Sequence, residues 1–247
     1  MADPAENDAS APHAVGGPRP APVLEQQVVA TFCFVDIAGY TALTDSHGEH
    51  AAADLVDSFN SLIHAAVDPF GTVQELSGDN AFLVFSEPVM ALRAITKLYG
   101  TVADQRNLPL VRTGLHHGAA LLRANRYFGS TVNIAARTTA QATGGEILCT
   151  RPVVDALVPH ECGTATIAHR GRVALKNLPD PIELYAITLP DLARRYVIDP
   201  VCQMQVDSLA AGGTFLLAGR QWWFCSSECA RRFEGSPEVF LNHQPTT

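Results

Sequence analysis

Two aspartates stand at glycine-bearing turns beside apolar, strand-like runs. Asp36 lies in Phe34-Val35-Asp36-Ile37-Ala38-Gly39-Tyr40-Thr41, and Asp79 lies in Ser77-Gly78-Asp79. A pair of carboxylates can hold two divalent cations over a triphosphate, where the ions activate an attacking hydroxyl and stabilise the leaving phosphate. The neighbouring glycines let the backbone come close to phosphate oxygens. A third stretch, Phe128-Gly129-Ser130-Thr131-Val132-Asn133-Ile134-Ala135-Ala136-Arg137, sets Asn133 and Arg137 four residues apart, on one helix face. The amide can orient a ribose oxygen, and the guanidinium can stabilise charge on a phosphoryl group. Taken singly, each feature has a plainer reading: Asp36 as a helix cap, Asp79 as a turn residue, Asn133 and Arg137 as an exposed polar face. Their combination points to nucleotide chemistry.

These residues need elements to position them. Val28 to Val35 reads as a buried strand ending at Asp36, and Thr41 to about Val67 has helical spacing, with Thr41 or Thr44 as candidate cap. Gly71 to Phe85 reads as a hairpin with Asp79 at its tip. Pro88 to about Ala103 reads as an amphipathic helix, and Val111 to Leu122 as a strand region broken by Gly118. Ser130 to about Ala142 reads as a helix stopped by Gly144-Gly145, followed by the strand Glu146 to Cys149 and a short helix from Arg151 to Val158. Short strands are expected around Asn177-Leu178-Pro179-Asp180-Pro181, between Ala174 and Ile187. The alternation lacks the even rhythm of a doubly wound fold and predicts an α+β sandwich with a mainly antiparallel sheet. His116 and His117, before Gly118 at a strand end, read as structural; His47 and His50, at a helix start, read as solvated.

Bulk properties narrow the class. The 247 residues suffice for one domain and a small second one, and 47% apolar with 17% charged residues fits a globular core. A formal net charge of −8 without a long basic run argues against a nucleic-acid or anionic-membrane surface. The first residues carry no signal-peptide pattern, and no run reaches the length a spanning helix needs, so a soluble cytoplasmic chain is expected. Residues 1–24 read as a flexible tail.

From about Gln26 to Ile187 the chain resembles the catalytic domain of class III adenylate/guanylate cyclases. Phe34 through Tyr40 matches that family's first metal-binding segment, Leu76-Ser77-Gly78-Asp79 its second, Phe128 through Arg137 its Asn/Arg segment, and Val173-Ala174-Leu175-Lys176 its late lysine segment. The resemblance implies a ferredoxin-like cyclase sandwich over residues 25–190. It implies that ATP or GTP is converted to the 3′,5′-cyclic nucleotide and pyrophosphate. Asp36 and Asp79, helped by the Ile37 carbonyl, would hold two Mg²⁺ or Mn²⁺; Gly39, Tyr40 and Thr41 would contact substrate. It also implies a homodimer in which Asp36 and Asp79 of one subunit face Asn133, Arg137 and Lys176 of the other, so that a monomer is inactive.

Two positions depart from the adenylate-forming pattern. Where such members carry a Lys four residues before the second metal aspartate, this chain has Glu75; where they carry Asp or Thr three residues before the Phe-Gly glycine, it has Arg126. Glu75 can accept from the N1–H and N2–H of guanine, and Arg126 can donate to O6. Glu75 is the residue guanylate-forming members use; Arg126 is not. The alternative is that the two pair with each other, leaving a weak or inactive homologue that binds nucleotide or acts as a metal-responsive scaffold.

Near Leu192 cysteine and aromatic density rises, marking a second unit over residues 196–245. Cys33 and Cys149 read as buried thiols and Cys162 as a loop residue, whereas Cys202, Cys225 and Cys229 cluster in a way that suggests a soft or borderline metal such as Zn²⁺ or Cu(I). Cys225 and Cys229 share a helix face if a helix begins near Ser226. The stretch resembles YHS domains, small TRASH-like treble-clef modules, whose three cysteines these match. The fourth ligand is not evident; His243 or water is a guess. A unit this small needs such a staple.

Overall fold

The computed structural model describes residues 25–157, 162–189 and 196–241. The predicted tail and His243 lie outside the described residues. Among the described residues, twelve strands and six helices follow in the order β1 (Glu25–Ile37), α1 (Tyr40–Val67), β2 (Thr72–Ser77), β3 (Asn80–Phe85), α2 (Pro88–Ala103), β4 (Val111–Arg123), β5 (Arg126–Phe128), α3 (Ser130–Thr139), β6 (Ile147–Thr150), α4 (Arg151–Ala156), β7 (Thr166–Val173), β8 (Ile182–Thr188), β9 (Val197–Ile198), β10 (Gln205–Val206), β11 (Gly213–Leu217), β12 (Arg220–Phe224), α5 (Ser227–Gly235) and α6 (Pro237–Leu241).

The first eight strands form one sheet in the order β2-β3-β1-β4-β6-β8-β7, with β5 paired to β4. Among the described strand pairs of this sheet only β4 with β6 is parallel. The unit β1-α1-β2-β3-α2-β4 with spatial order β4-β1-β3-β2 is the ferredoxin-like split βαβ arrangement. The α+β sandwich is therefore as expected.

Strand alternation divides the core. Odd positions of β1 (Cys33, Val35, Ile37) join Leu83 and Phe85 beneath Leu55, Phe59 and Ile63 of α1 and Ile95 and Leu98 of α2. Even positions point to the other face, where Ala30 and Phe32 meet Phe82, Val84, Ala120 and Ala135 of α3. Each fully buried Phe, Leu or Ile contributes roughly 1.5–3 kcal/mol of transfer free energy, so the face on which Asp36 projects is fixed by the apolar residues flanking it in β1. A one-residue slip would exchange the faces.

Several details differ from the sequence reading. Gly118 does not break β4, which runs on past it paired to Ala30; a Cβ there would lie 3.3 Å from Thr131 Cγ2, so the missing side chain admits α3. His116 and His117 consequently sit in mid-strand. Neither Thr41 nor Thr44 caps α1: the cap position is Gly39 at φ 73°, and the Thr44 hydroxyl donates to the Tyr40 carbonyl. The α1 helix is kinked at Gly48, whose φ of 83° is non-helical. The α3 helix ends at Thr139. Of the short strands expected between Ala174 and Ile187, β8 is present, and its partner lies earlier, as β7, whose polar Thr-Ile-Ala-His-Arg-Gly-Arg-Val sequence suits a sheet edge.

Residues 196–241 pack onto this body. The Gln205 amide donates to the carbonyls of Val102 (2.7 Å), Gln105 and Leu108, and Val201, Trp222, Phe224 and Phe233 belong to the same apolar cluster as α1 and α2. Locally this segment is a two-stranded β9–β10 ribbon, a β11–β12 hairpin and α5.

Candidate active site

Asp36 occupies the penultimate position of β1, opposite Asn80 on β3 and Arg112 on β4. Asp79 occupies the two-residue tip between β2 and β3, made possible by Gly78 at φ 58°. The Ile37 N–H donates to the Asp79 carbonyl (3.0 Å), clamping that tip against the end of β1. The Asp36 carboxyl is buried, and burial raises its pKa; Arg112 opposes the shift, and the adjacent Asp79 carboxyl adds to it. Two carboxyls crowded at one sheet end, one desolvated, form a donor set suited to hard divalent cations.

Arg112 was not a sequence candidate. Its Nε donates to Asp36 Oδ2 at 2.7 Å, and a second guanidinium nitrogen reaches the same oxygen. The β1–β4 register alone creates this pair, across 76 positions of sequence, so no local pattern could have revealed it.

Gly39, Tyr40 and Thr41 follow Asp36 into α1. Gly39 and Thr41 are exposed and Tyr40 half-buried. The Ala38 N–H donates to the Leu110 carbonyl (2.8 Å), fixing the turn between Asp36 and α1.

Glu75 and Arg126 line one cavity of about 230 Å³ with Phe34, Phe82, Phe128 and Val132. A bulge between Val73 and Glu75 shifts the β2 register there, and the Gln74 amide donates to the Asn125 carbonyl (2.7 Å), tying β2 to the β4–β5 turn. No ion pair joins Glu75 to Arg126 among the described residues. The lining thus sets one carboxylate and one guanidinium among aromatic and aliphatic side chains.

Asn133 is exposed and Arg137 half-buried on α3, and Lys176 is exposed in the loop after β7. No hydrogen bond or ion pair among the described residues connects any of the three to Asp36 or Asp79. One chain thus brings together Asp36, Ile37 and Asp79, and separately Glu75 and Arg126, but leaves Asn133, Arg137 and Lys176 unjoined to the carboxylates. His116 donates to or accepts from Thr150 Oγ1 (2.6 Å) and His117 is likewise bonded to Thr31 Oγ1 (2.9 Å), in keeping with structural roles.

Cys202, Cys225 and Cys229 also converge. Cys202 lies after β9, Cys225 after β12, and Cys229 in the first turn of α5, whose cap Ser226 accepts from the Cys229 N–H (3.2 Å). Cys225 precedes that cap, so the pair does not share a helix face as expected, yet their sulfurs are 3.7 Å apart. His47, expected to be solvated, is instead half-buried beside them; His50 is exposed.

Comparison with known proteins agrees with this fold. The family model described as "Adenylate and Guanylate cyclase catalytic domain" matches residues 24–189. A pH-sensitive adenylate cyclase of Mycobacterium tuberculosis is 32% identical over 139 residues, covering 56% of this chain and 34% of that protein. An adenylate cyclase of Streptomyces griseus is 28% identical over 199 residues, covering 76% of this chain and 49% of the relative. The chain thus spans half or less of these relatives' length. Among solved structures, the adenylyl cyclase CyaB from P. aeruginosa superposes with a TM-score of 0.58 at 19% identity, covering 67% of this chain and 96% of that one. The guanylyl cyclase Cya2 gives 0.55 at 17% identity, covering 66% and 92%. These two likenesses concern the fold.

Proposed function

Because the chain belongs to the adenylate and guanylate cyclase catalytic-domain family, we propose that it is a purine nucleotide cyclase working in intracellular signalling, with its sites shared between two copies of the chain. The observation that carries this reading is the crowded Asp36–Asp79 carboxyl pair at the end of β1, next to the cavity lined by Glu75 and Arg126. The reaction joins the ribose 3′-oxygen to the α-phosphorus while the bond from that phosphorus to the bridging oxygen of pyrophosphate breaks; the hydroxyl proton goes to the medium.

Asp36, Asp79 and the Ile37 carbonyl would hold two Mg²⁺ or Mn²⁺, which when bound supply charge neutralisation at the triphosphate and a more acidic hydroxyl. Arg112 engages Asp36 through Oδ2, so a cation would compete with it for that oxygen and meet Oδ1 without competition. Glu75 and Arg126 orient the base at the cavity rim. Asn133, Arg137 and Lys176 of the second copy position the ribose and stabilise charge on the phosphates. None of the three is bonded to Asp36 or Asp79 among the described residues, which leaves them available for completion in trans, and half-exposed Phe128 supplies apolar surface. For residues 196–241 the reading is a YHS-like treble-clef module, a hairpin and helix stapled by cysteines.

The test is complementation. Asp36→Asn and Arg137→Ala chains should each be inactive, while an equal mixture allowed to exchange subunits should recover roughly a quarter of wild-type turnover, because half the dimers would hold one intact site of two. A mixture that stays inactive, with both chains folded and dimeric, refutes the shared site.

A further inference from the structure

Among the described residues of their own segment no fourth ligand joins the three cysteines, and α1 supplies one. His47 Nε2 lies 3.3 Å from Cys225 Sγ and 3.8 Å from Cys229 Sγ. Cys202 Sγ and Cys225 Sγ are 3.4 Å apart, Cys225 Sγ and Cys229 Sγ 3.7 Å, and all four donor atoms lie within 4.8 Å of one another. With Zn–S near 2.3 Å and Zn–N near 2.0–2.1 Å, a tetrahedral ion separates its ligand atoms by roughly 3.5–3.8 Å. The four separations from 3.3 to 3.8 Å stand close to those values, and the other two lie within 4.8 Å.

The surrounding bonds hold the donors in place. The buried Asp199 carboxylate accepts from the Val201 N–H and the Cys225 N–H, both at 2.8 Å, so it fixes the backbone at Cys225 and at the residue before Cys202. Ser226 fixes the backbone at Cys229. On the α1 side, Arg232 of α5 donates to Ser46 Oγ (2.7 Å), which positions the turn carrying His47 against α5.

This cluster is linked to the candidate active site through a short covalent and hydrogen-bonded path. Beyond Cys202, the Gln203 carbonyl accepts from Leu110 N–H (3.1 Å), whose own carbonyl accepts from Ala38 N–H (2.8 Å), two residues after Asp36. Gly39 runs alongside this segment: a Cβ on it would lie 2.9 Å from Gln203 Cγ and 3.3 Å from the Cys202 carbonyl oxygen. His47 lies on the helix that Gly39 begins. The cluster therefore grips the stretch from Asp36 to His47 at both ends.

We propose that His47, Cys202, Cys225 and Cys229 form a tetrahedral Zn²⁺ site that bridges the C-terminal segment to α1, and that its occupancy orders residues 36–47 and so raises cyclase turnover. The turnover clause rests on the cyclase reading; the metal site and the ordering do not.

The test uses the full chain. Metal-free protein titrated with Zn²⁺ should take up one tightly bound ion, and Co²⁺ in its place should give the intense visible bands of a tetrahedral ion with sulfur-to-metal charge transfer. His47→Ala should weaken Zn²⁺ binding at least tenfold and change the Co²⁺ spectrum. His47→Cys, which keeps a ligand of suitable reach, should restore affinity with a four-sulfur spectrum. Amide exchange over residues 36–47 should slow on adding Zn²⁺ to wild type and not to His47→Ala. Unchanged affinity and Co²⁺ spectrum in His47→Ala would overturn the bridging ligand. Equal exchange with and without Zn²⁺ would overturn the ordering. Turnover that does not rise with Zn²⁺ in a chain that makes cyclic nucleotide would overturn the activation; a chain that makes none would fail the cyclase reading while leaving the metal and exchange results to stand.

Discussion

Gly114→Ala should cut the proposed cyclase turnover about 100-fold without touching any residue assigned to chemistry. Gly114 lies in β4 where α3 crosses it. A Cβ on it would lie 2.2 Å from the Thr139 nitrogen, 2.5 Å from Thr139 Oγ1 and 2.7 Å from the Thr138 carbonyl carbon. Two of these are backbone atoms, so the neighbour cannot swing aside as a flexible side chain would. Restoring ordinary contact requires the end of α3 to move by about 1 Å, since carbon contacts relax near 3.5 Å. That helix carries Asn133 and Arg137. A displacement of this size in positioned groups can cost about 100-fold in rate, and overpacking costs about 1–3 kcal/mol of stability, or roughly 2–4 °C in melting temperature per kcal/mol for a protein of this size class. The assay is cyclic-nucleotide formation per folded dimer, with Gly235→Ala as control because nothing lies within 4 Å of a Cβ there. Turnover within twofold of wild type and an unshifted melting temperature would refute the claim that α3 positions those two residues by its contact at Gly114.

Three further outcomes follow from the geometry. Glu75→Lys with Arg126→Asp should shift the ATP-to-GTP turnover ratio towards ATP at least tenfold, equivalent to about 1.4 kcal/mol; an unmoved ratio would remove both from base recognition. Burial lowers the His116 pKa from 6.5 to about 4, so the folded chain resists protonation that the unfolded chain accepts; the stability this neutral histidine supports is present above pH 6.5 and lost as pH falls towards 4, on the order of 3 kcal/mol. Denaturant titrations of wild type and His116→Gln across that window should show a shallower acid loss in the variant, and parallel curves would contradict it. Arg112→Ala should lower the melting temperature of cation-free protein, because it leaves the buried Asp36 carboxylate unpaired, and should lower the Mn²⁺ concentration giving half-maximal turnover; an unchanged Mn²⁺ dependence would show that Arg112 does not compete for Asp36.

The α+β fold was legible because its signals are local. Apolar runs of strand length and helical spacing, the Gly78 turn and the Pro88 helix start each act within a few residues, and the elements they predict lie close to those observed. The carboxylates were legible for the same reason, each sitting beside its own glycine. What escaped the sequence depends on register and docking. Arg112 meets Asp36 only through the pairing of β1 with β4, and β7 hid because an edge strand with polar residues on both faces has no apolar alternation. His47 was read as solvated because its partners arrive from more than 150 positions later in the chain. The one hint in the sequence is that three cysteines leave a tetrahedral ion one ligand short.

The most direct measurement is product formation by the purified full chain with Mn²⁺, offering ATP and GTP separately and then together. The account predicts a 3′,5′-cyclic nucleotide and an equal amount of pyrophosphate from at least one of them, abolished by Asp36→Asn. No cyclic product from either nucleotide, in a chain shown to be folded and dimeric, would contradict it.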